Sequence, residues 1–379
     1  MVWICLSLIA IAFAIACPAC WAAMRIGRRV GAHGDAAVAG QVKDAPRRIP
    51  NTGGVGLYLA IALPILAGLA LVWGVLDQKT LVDIPLLEPL RDHLEGIRSR
   101  APLALAFLGS LTLLHLMGLI DDRRPLGPLG KLVVMVLPAV VVAWPHPALD
   151  TRLMTMLDTS TGGPWISMIL TVIWIVGVTN AMNFIDNMDG LCGSVAAIAA
   201  ACFLGAALVN EQWFVASMLA LVVGASAGFL VWNAPPARLF MGDSGSLVLG
   251  YTLAFLTVRA TYVGDAGTAG SGAWYGVFMP VLVLAIPLYD FVSVTLVRLS
   301  QGKSPFVGDL QHLSHRLVKR GLSKRAAVAV IAGFALVIGL GGVSLGSLEP
   351  WQAILVVVQT VVLLAVVAVF EWRSSPGDG

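Results

Sequence analysis

Five acidic residues stand beside apolar runs in three short segments. Asp121 and Asp122 close Gly118-Leu119-Ile120-Asp121-Asp122, and Asp243 lies in Phe240-Met241-Gly242-Asp243-Ser244-Gly245-Ser246. Asp186 and Asp189 fall within Asn180 to Leu191, which also offers the amide of Asn183. A carboxylate buried at the edge of an apolar run is costly unless a cation or a donor meets it. Clustered carboxylates with an amide oxygen are hard ligands, suited to Mg²⁺ or Mn²⁺, ions that keep waters and take phosphate oxygens as further ligands. The plainer use of each acid is to cap a helix or to pair with Arg123, Arg124 or Lys131.

Backbone suited to phosphate lies close by in sequence. Gly242 and Gly245 flank Asp243 at a helix start, and Gly53 and Gly54 open another apolar run just after Lys43, Arg47 and Arg48. Free N–H groups and the positive end of a helix dipole favour an anion at such places. Further along, Ser304 to Leu317 carries His312, His315 and Arg316, potential donors to a phosphate, and the spacing of Leu313, Leu317 and Val318 predicts an amphipathic surface helix. Two histidines three apart are half of a zinc set, and no cysteine or further histidine completes it. His115, deep in an apolar run, is expected to make an interhelical hydrogen bond, and Asp290 is a second deep ionisable group.

These residues have to be positioned by membrane helices. Of 379 residues 58% are hydrophobic and 12% charged, which argues against a water-soluble domain, and a net charge of +3 gives no bulk attraction for nucleic acid. Apolar runs predict an all-α polytopic protein with about 11 transmembrane helices: 2–24, 53–76, 101–120, 131–144, 164–182, 191–209, 212–232, 239–258, 275–299, 326–345 and 350–371. Alternation then puts the loops 43–54, 121–131, 180–191, 238–246 and 301–320 on one face, so all five carboxylates share it. Of the 24 Lys and Arg, 18 lie on that face, which predicts it to be cytoplasmic, with the N-terminus outside and the C-terminus inside. The first run has no basic n-region and is expected to be retained. The five cysteines fall in apolar runs and read as packing residues, Cys17 and Cys20 included. No internal repeat is visible, and 1–379 reads as one integral membrane unit.

These segments, in this order, resemble the motifs of the polyprenyl-phosphate N-acetylhexosamine-1-phosphate transferase superfamily. The Asp121-Asp122 pair with Leu126, Pro128, Lys131 and Leu132 resembles its first motif, and Asn180 to Leu191 its Asn-x-x-Asn-x-x-Asp-Gly-x-Asp-Gly motif. Met241 to Ser246 is similar to its Gly-Asp-x-Gly-Ser motif, Pro287 to Asp290 to its Pro-x-x-Asp segment, and His312 to Leu317 to its histidine-rich loop.

The resemblance implies transfer of a sugar 1-phosphate, with UDP-GlcNAc the expected donor, to undecaprenyl or another polyprenyl phosphate, releasing UMP at the cytoplasmic face of a bacterial inner membrane and priming a cell-surface glycan. It implies Asp121, Asp122, Asp243, His312 and His315 as catalytic residues. Asp243, Asn183 and Asp121 would hold Mg²⁺ or Mn²⁺. Lys131, Asn183, Asp186, Asp189, Arg316, Arg48, Gly53 and Gly54 would bind substrate, Asp189 serving the nucleotide base. A homodimer is among the expected assemblies. Three positions depart from the family pattern: Asn187 for a glycine, Leu310 for Arg or Gln, and Ser314 for the middle histidine, which leaves its role to His312 or His315 or implies altered activity. Three rival readings follow: the phospho-N-acetylmuramoyl-pentapeptide transferase branch, whose loop carries three successive histidines; a cation-coupled transporter using the same acids; and an inactive homologue.

Overall fold

In lipid every backbone N–H and C=O has to be satisfied within the chain, so long apolar runs fold as helices. The computed structural model describes residues 1–32, 48–74, 93–146, 149, 151–155, 157–260, 274–304 and 311–372, and these contain helices and no strand. Lys43, Arg47 and Leu310, and with them parts of the loops 43–54 and 301–320, lie outside the described residues. In chain order the helices are α1 (Val2–Val30), α2 (Gly53–Gly74), α3 (Leu94–Asp121), α4 (Pro128–Ala143), α5 (Leu157–Thr161), α6 (Trp165–Phe184) and α7 (Leu191–Val209). They continue with α8 (Trp213–Asn233), α9 (Asp243–Arg259), α10 (Met279–Val283), α11 (Ala285–Ser300), α12 (Leu313–Lys319), α13 (Lys324–Val343) and α14 (Pro350–Trp372).

Each of the eleven expected runs is helical, but the count of crossings differs. Among the described residues eight helices are long and apolar enough to cross a membrane, or nine when α10 and α11 are taken together across their 70° bend. The two expected spans left over are α4, with 16 residues, and α9, with 17. At 1.5 Å per residue they fall short of a ~30 Å hydrocarbon core. Pro287 explains the bend, because its ring obstructs the carbonyl four residues earlier, at Val283, and the chain breaks at Leu284.

Helix α9 is the axle of the fold, with every residue from Ser244 to Val258 buried. Its N-terminus is approached by glycines from two neighbours: a Cβ on Gly54 of α2 would meet the backbone of Ser244 and Gly245, and one on Gly118 of α3 would meet the backbone of Asp243 and Ser244. Small residues permit such close crossings in a membrane, where packing rather than water expulsion drives association. Gly118→Ala is therefore expected to cost at least about 1–3 kcal/mol, because the obstacle is backbone and cannot rotate away. Thermal melting of the purified protein in detergent measures it, and an unchanged midpoint would refute the α3–α9 contact.

Candidate active site

Asp121 and Asp243, 122 positions apart in the sequence, meet across a single ammonium group. Lys131 Nζ lies 2.5 Å from Asp121 Oδ2 and 2.5 Å from Asp243 Oδ2. The local chain is built to bring this about. Asp121 ends α3 and accepts the Leu126 amide on its other oxygen at 2.8 Å, closing the connecting turn. Gly127, at φ 77°, then supplies a left-handed step before Pro128 starts α4, which carries Lys131 in its first turn.

Asp122 does different work from its neighbour. Its Oδ1 accepts Asn51 Nδ2 at 2.9 Å and the Asp243 amide at 3.0 Å, and its Oδ2 accepts the Ser244 amide at 3.3 Å. It caps α9 from a different helix, so the anion at that helix start is the protein's own carboxylate and not the phosphate expected there. Gly242 permits the approach: its φ is 71°, and a Cβ would stand 2.6 Å from Asp122 Oδ2. Burial, and then the charge of Asp243, push the Asp122 carboxyl up to about 7 against the help of those amides.

The expected role of Gly53 and Gly54 is also corrected. Their amides donate to the carbonyls of Phe240 at 2.9 Å and Met241 at 3.0 Å, so they dock α2 onto the segment before α9 and have no N–H left for phosphate. Arg48 is exposed, three residues before Asn51.

The segment after α6 brings its acids to the same place. Asn183 lies beside Asp243, and its Nδ2 donates to Ser246 Oγ at 2.8 Å, which leaves Oδ1 as the atom it has for a cation. Asp186 is half-buried, and its carboxyl is pushed up to about 8, chiefly by burial and then by the charges of Asp243, Asp122 and Asp189. Asp189 is buried, with Oδ2 accepting the Ala237 amide at 3.0 Å. It fastens this loop to the one before α9, so one of its oxygens is committed to the backbone rather than to a base.

The histidine segment forms α12 as expected, but its donors are largely engaged. His312 Nδ1 is 2.8 Å from Asp290 Oδ2, and Asp290 Oδ1 accepts the Leu313 amide at 2.7 Å. The deep Asp290 thus belongs to this end of the bundle. His315 is half-buried on α12. Arg316 Nη2 donates to Ser293 Oγ at 2.8 Å and pairs with Glu371 at 3.1 Å. Ser314 hydrogen-bonds Asn187, so two of the departures from the family pattern touch each other. His115 makes the expected interhelical contact, its Nδ1 3.0 Å from the Ser244 carbonyl, and stacks on Tyr58 at 4.4 Å.

Sequence reasoning missed Asn51, Ser246, Asn233 and Phe184. Asn233 accepts the Gly190 amide and donates to the Leu239 carbonyl, and Phe184 packs edge-on to His312 and under the buried Arg298. Asn51, next to the glycine pair, Phe184, next to Asn183, and Ser246, which closes the Asp243 segment, stood inside segments already singled out, whereas Asn233 did not.

Among the described residues no three His, Cys, Asp or Glu side chains converge as a metal-holding group. A cation at this site would have two carboxylates, Asp121 and Asp243, with the Asn183 amide. That set suits Mg²⁺, which takes one or two carboxylates and completes its shell with water and phosphate. The space between the two carboxylates already holds a positive group, the Lys131 ammonium, so the donor set fits such an ion.

The family model described as glycosyl transferase family 4 matches residues 104–261, which run from α3 through α9. The chain is 28% identical to a probable undecaprenyl-phosphate N-acetylglucosaminyl 1-phosphate transferase of Bacillus subtilis, over 72% of this chain and 74% of that protein. It is 31% identical to the undecaprenyl-phosphate alpha-N-acetylglucosaminyl 1-phosphate transferase of Thermotoga maritima, over 63% of this chain and 69% of that protein. A phospho-N-acetylmuramoyl-pentapeptide-transferase of Bacillus cytotoxicus is 38% identical over a shorter stretch, 38% of this chain and 48% of that protein. With motifs from α3, α4, α6, α9 and α12 gathered at one end of the bundle and the Bacillus subtilis and Thermotoga maritima N-acetylglucosaminyl transferases aligned across most of their length, the chain belongs to the polyprenyl-phosphate N-acetylhexosamine-1-phosphate transferase superfamily.

Proposed function

We propose that this protein transfers N-acetylglucosamine 1-phosphate from UDP-GlcNAc to a polyprenyl phosphate, in a Mg²⁺-dependent reaction at the cytoplasmic face of a bacterial inner membrane, and so primes a cell-surface glycan. In this reading all eleven helical runs cross or enter the bilayer, with the N-terminus outside. The observation that carries the proposal is the Asp121–Lys131–Asp243 cluster where the end of α3 meets the starts of α4 and α9, which in this reading lies at the membrane edge. A lipid phosphate and a water-soluble nucleotide meet only at such a boundary.

An oxygen of the lipid phosphate attacks the sugar-bearing phosphorus of the donor. A new P–O–P bridge forms, the bond from that phosphorus to the UMP oxygen breaks, and UMP leaves with the electron pair. The acceptor phosphate is already largely ionised at neutral pH, so Asp121 serves to orient it and needs to remove no proton. Lys131 stands where it can move from the carboxylates to the negative charge that collects when two phosphates approach. Asp243, Asp121 and Asn183 would hold the metal ion, whose chemistry is to polarise the diphosphate as a Lewis acid. Asp122 keeps Asp243 on a capped helix end, and Asp290 sets the orientation of His312.

The longer alignment with the N-acetylglucosaminyl transferases than with the muramoyl-pentapeptide transferase supports the choice of branch. A transporter would spread its acids through the depth of the bundle, whereas these gather at one end, Asp290 included.

The assay is purified protein with undecaprenyl phosphate, Mg²⁺ and labelled UDP-GlcNAc. Label is expected in a lipid diphosphate, with stoichiometric UMP. Chelation by EDTA is expected to lower the rate at least about 100-fold, with recovery on adding Mg²⁺. Turnover with the muramoyl-pentapeptide donor alone would overturn the branch, and no turnover with any UDP-N-acetylhexosamine would overturn the enzyme reading.

A further inference from the structure

Helix α14 is mostly apolar, and only 17% of the residues in its apolar stretch are buried, as expected of a helix facing lipid on most sides. Its last turn carries one acid, Glu371, which is buried. A carboxylate in that setting requires partners, and it has two, while a third group holds the residue by its main chain. Its Oε2 receives Arg316 Nη2 at 3.1 Å and the Tyr289 hydroxyl at 3.1 Å, and its main-chain carbonyl receives Arg320 Nη2 at 2.6 Å. The ion pair engages one nitrogen and one oxygen, for Arg316 Nε and Glu371 Oε1 are buried without a partner.

Both arginines belong to the same short element, Arg316 within α12 and Arg320 at its C-terminal end. Helix α12 has seven residues and no side-chain cap within its own segment, too few to be stable alone. It is fixed from outside by side chains of other segments: Asp290 holds the Leu313 amide, Asn187 holds Ser314, and Ser293 of α11 and Glu371 of α14 share Arg316 Nη2. Asn187 belongs to the loop of Asp186 and Asp189, whose charges are felt together with that of Asp243. Glu371 comes from the far end of the chain and holds the residue directly after His315.

We propose that Glu371 is a positioning residue for the transfer reaction: through Arg316 it tethers the histidine-bearing helix α12 to the end of α14 and so holds His312 and His315 in place. It touches no reacting atom. The role in catalysis rests on the function proposed above, while the tether itself does not.

The test uses the full-length chain in detergent and reads two quantities, transfer kinetics and hydrogen exchange of the peptide covering 311–320. For Glu371→Ala, kcat is expected to fall about 10- to 100-fold, as for a small displacement of groups that orient a reaction. Exchange across 311–320 should rise about tenfold, while α3 and α9 exchange as in the unchanged protein. The same-sized Glu371→Gln removes the charge and keeps the volume. It carries the test should the alanine variant not fold, with an expected rise in local exchange of about threefold. Wild-type kcat in Glu371→Ala overturns the positioning role. Unchanged local exchange, or exchange that rises equally across the bundle, overturns the tether. Absence of transfer in the unchanged protein would strike the proposed function instead, and the exchange measurement still decides the tether.

Discussion

Asp243→Asn is expected to lower turnover at least about 10³-fold while leaving the protein folded. The substitution keeps the volume and removes the charge that faces Lys131 at 2.5 Å, and with it the carboxylate that opens α9. Losses of this size follow when a group that stabilises transition-state charge, directly or through a metal ion, is removed. Stability should change little, because the charge of Asp243 also disfavours ionisation of Asp122 and Asp186, whose carboxyls stand at about 7 and about 8. Taking that charge away eases both groups back toward the ordinary carboxylate range, which offsets the lost pairing with Lys131. Labelled lipid formation and thermal melting, run side by side, check the two halves. Wild-type rates would remove Asp243 from the reaction.

Asp122→Ala should injure both fold and rate. It strips the cap from α9, leaving the Asp243 and Ser244 amides and Asn51 Nδ2 without the oxygens they now meet. Loss of a cap and its neighbouring hydrogen bond costs about 2 kcal/mol, which appears as a lower melting midpoint. Turnover is expected to fall about 10²-fold, since Asp243 is the first residue of the helix that loses its cap. Asp122→Asn keeps one acceptor oxygen and should lie between the two. The comparison with Asp121→Asn separates the adjacent acids: that variant should lose rate with little change in melting. A dead Asp122→Ala with an unshifted midpoint would make Asp122 a reacting group rather than a clamp.

The contrast between Asp121 and Asp122 shows where sequence reasoning stopped. Both were legible as acids at the end of an apolar run, and their shared face with Asp243 followed from helix alternation alone. Which of them faces the cluster and which is spent on the start of α9 depends on how α3 lies against α9, a matter settled by Gly118 and Gly242 making room. Gly53 and Gly54 were read as phosphate-binding backbone because glycine before a helix has two uses, exposing amides and permitting close approach. The structure uses the second. The histidine segment was legible as a short helix, but its tie to Glu371, 55 positions beyond Arg316, was not. A lone acid closing a long apolar run was the available signal.

Taken by itself, the sequence determined that the chain is helical and membrane-embedded, where its apolar runs fall, and that the acids of three loops share one end. Those properties depend on local composition and on alternation, which any path through a bilayer must obey. The tertiary structure decided the partners: Lys131 between Asp121 and Asp243, Asp122 on α9, Asp290 on His312, Glu371 on Arg316. Helices in lipid are apolar on every face, so no periodicity in the sequence marks which side packs against which neighbour. That choice is made by close-fitting small residues and a few buried polar contacts, which exist only once the helices have met.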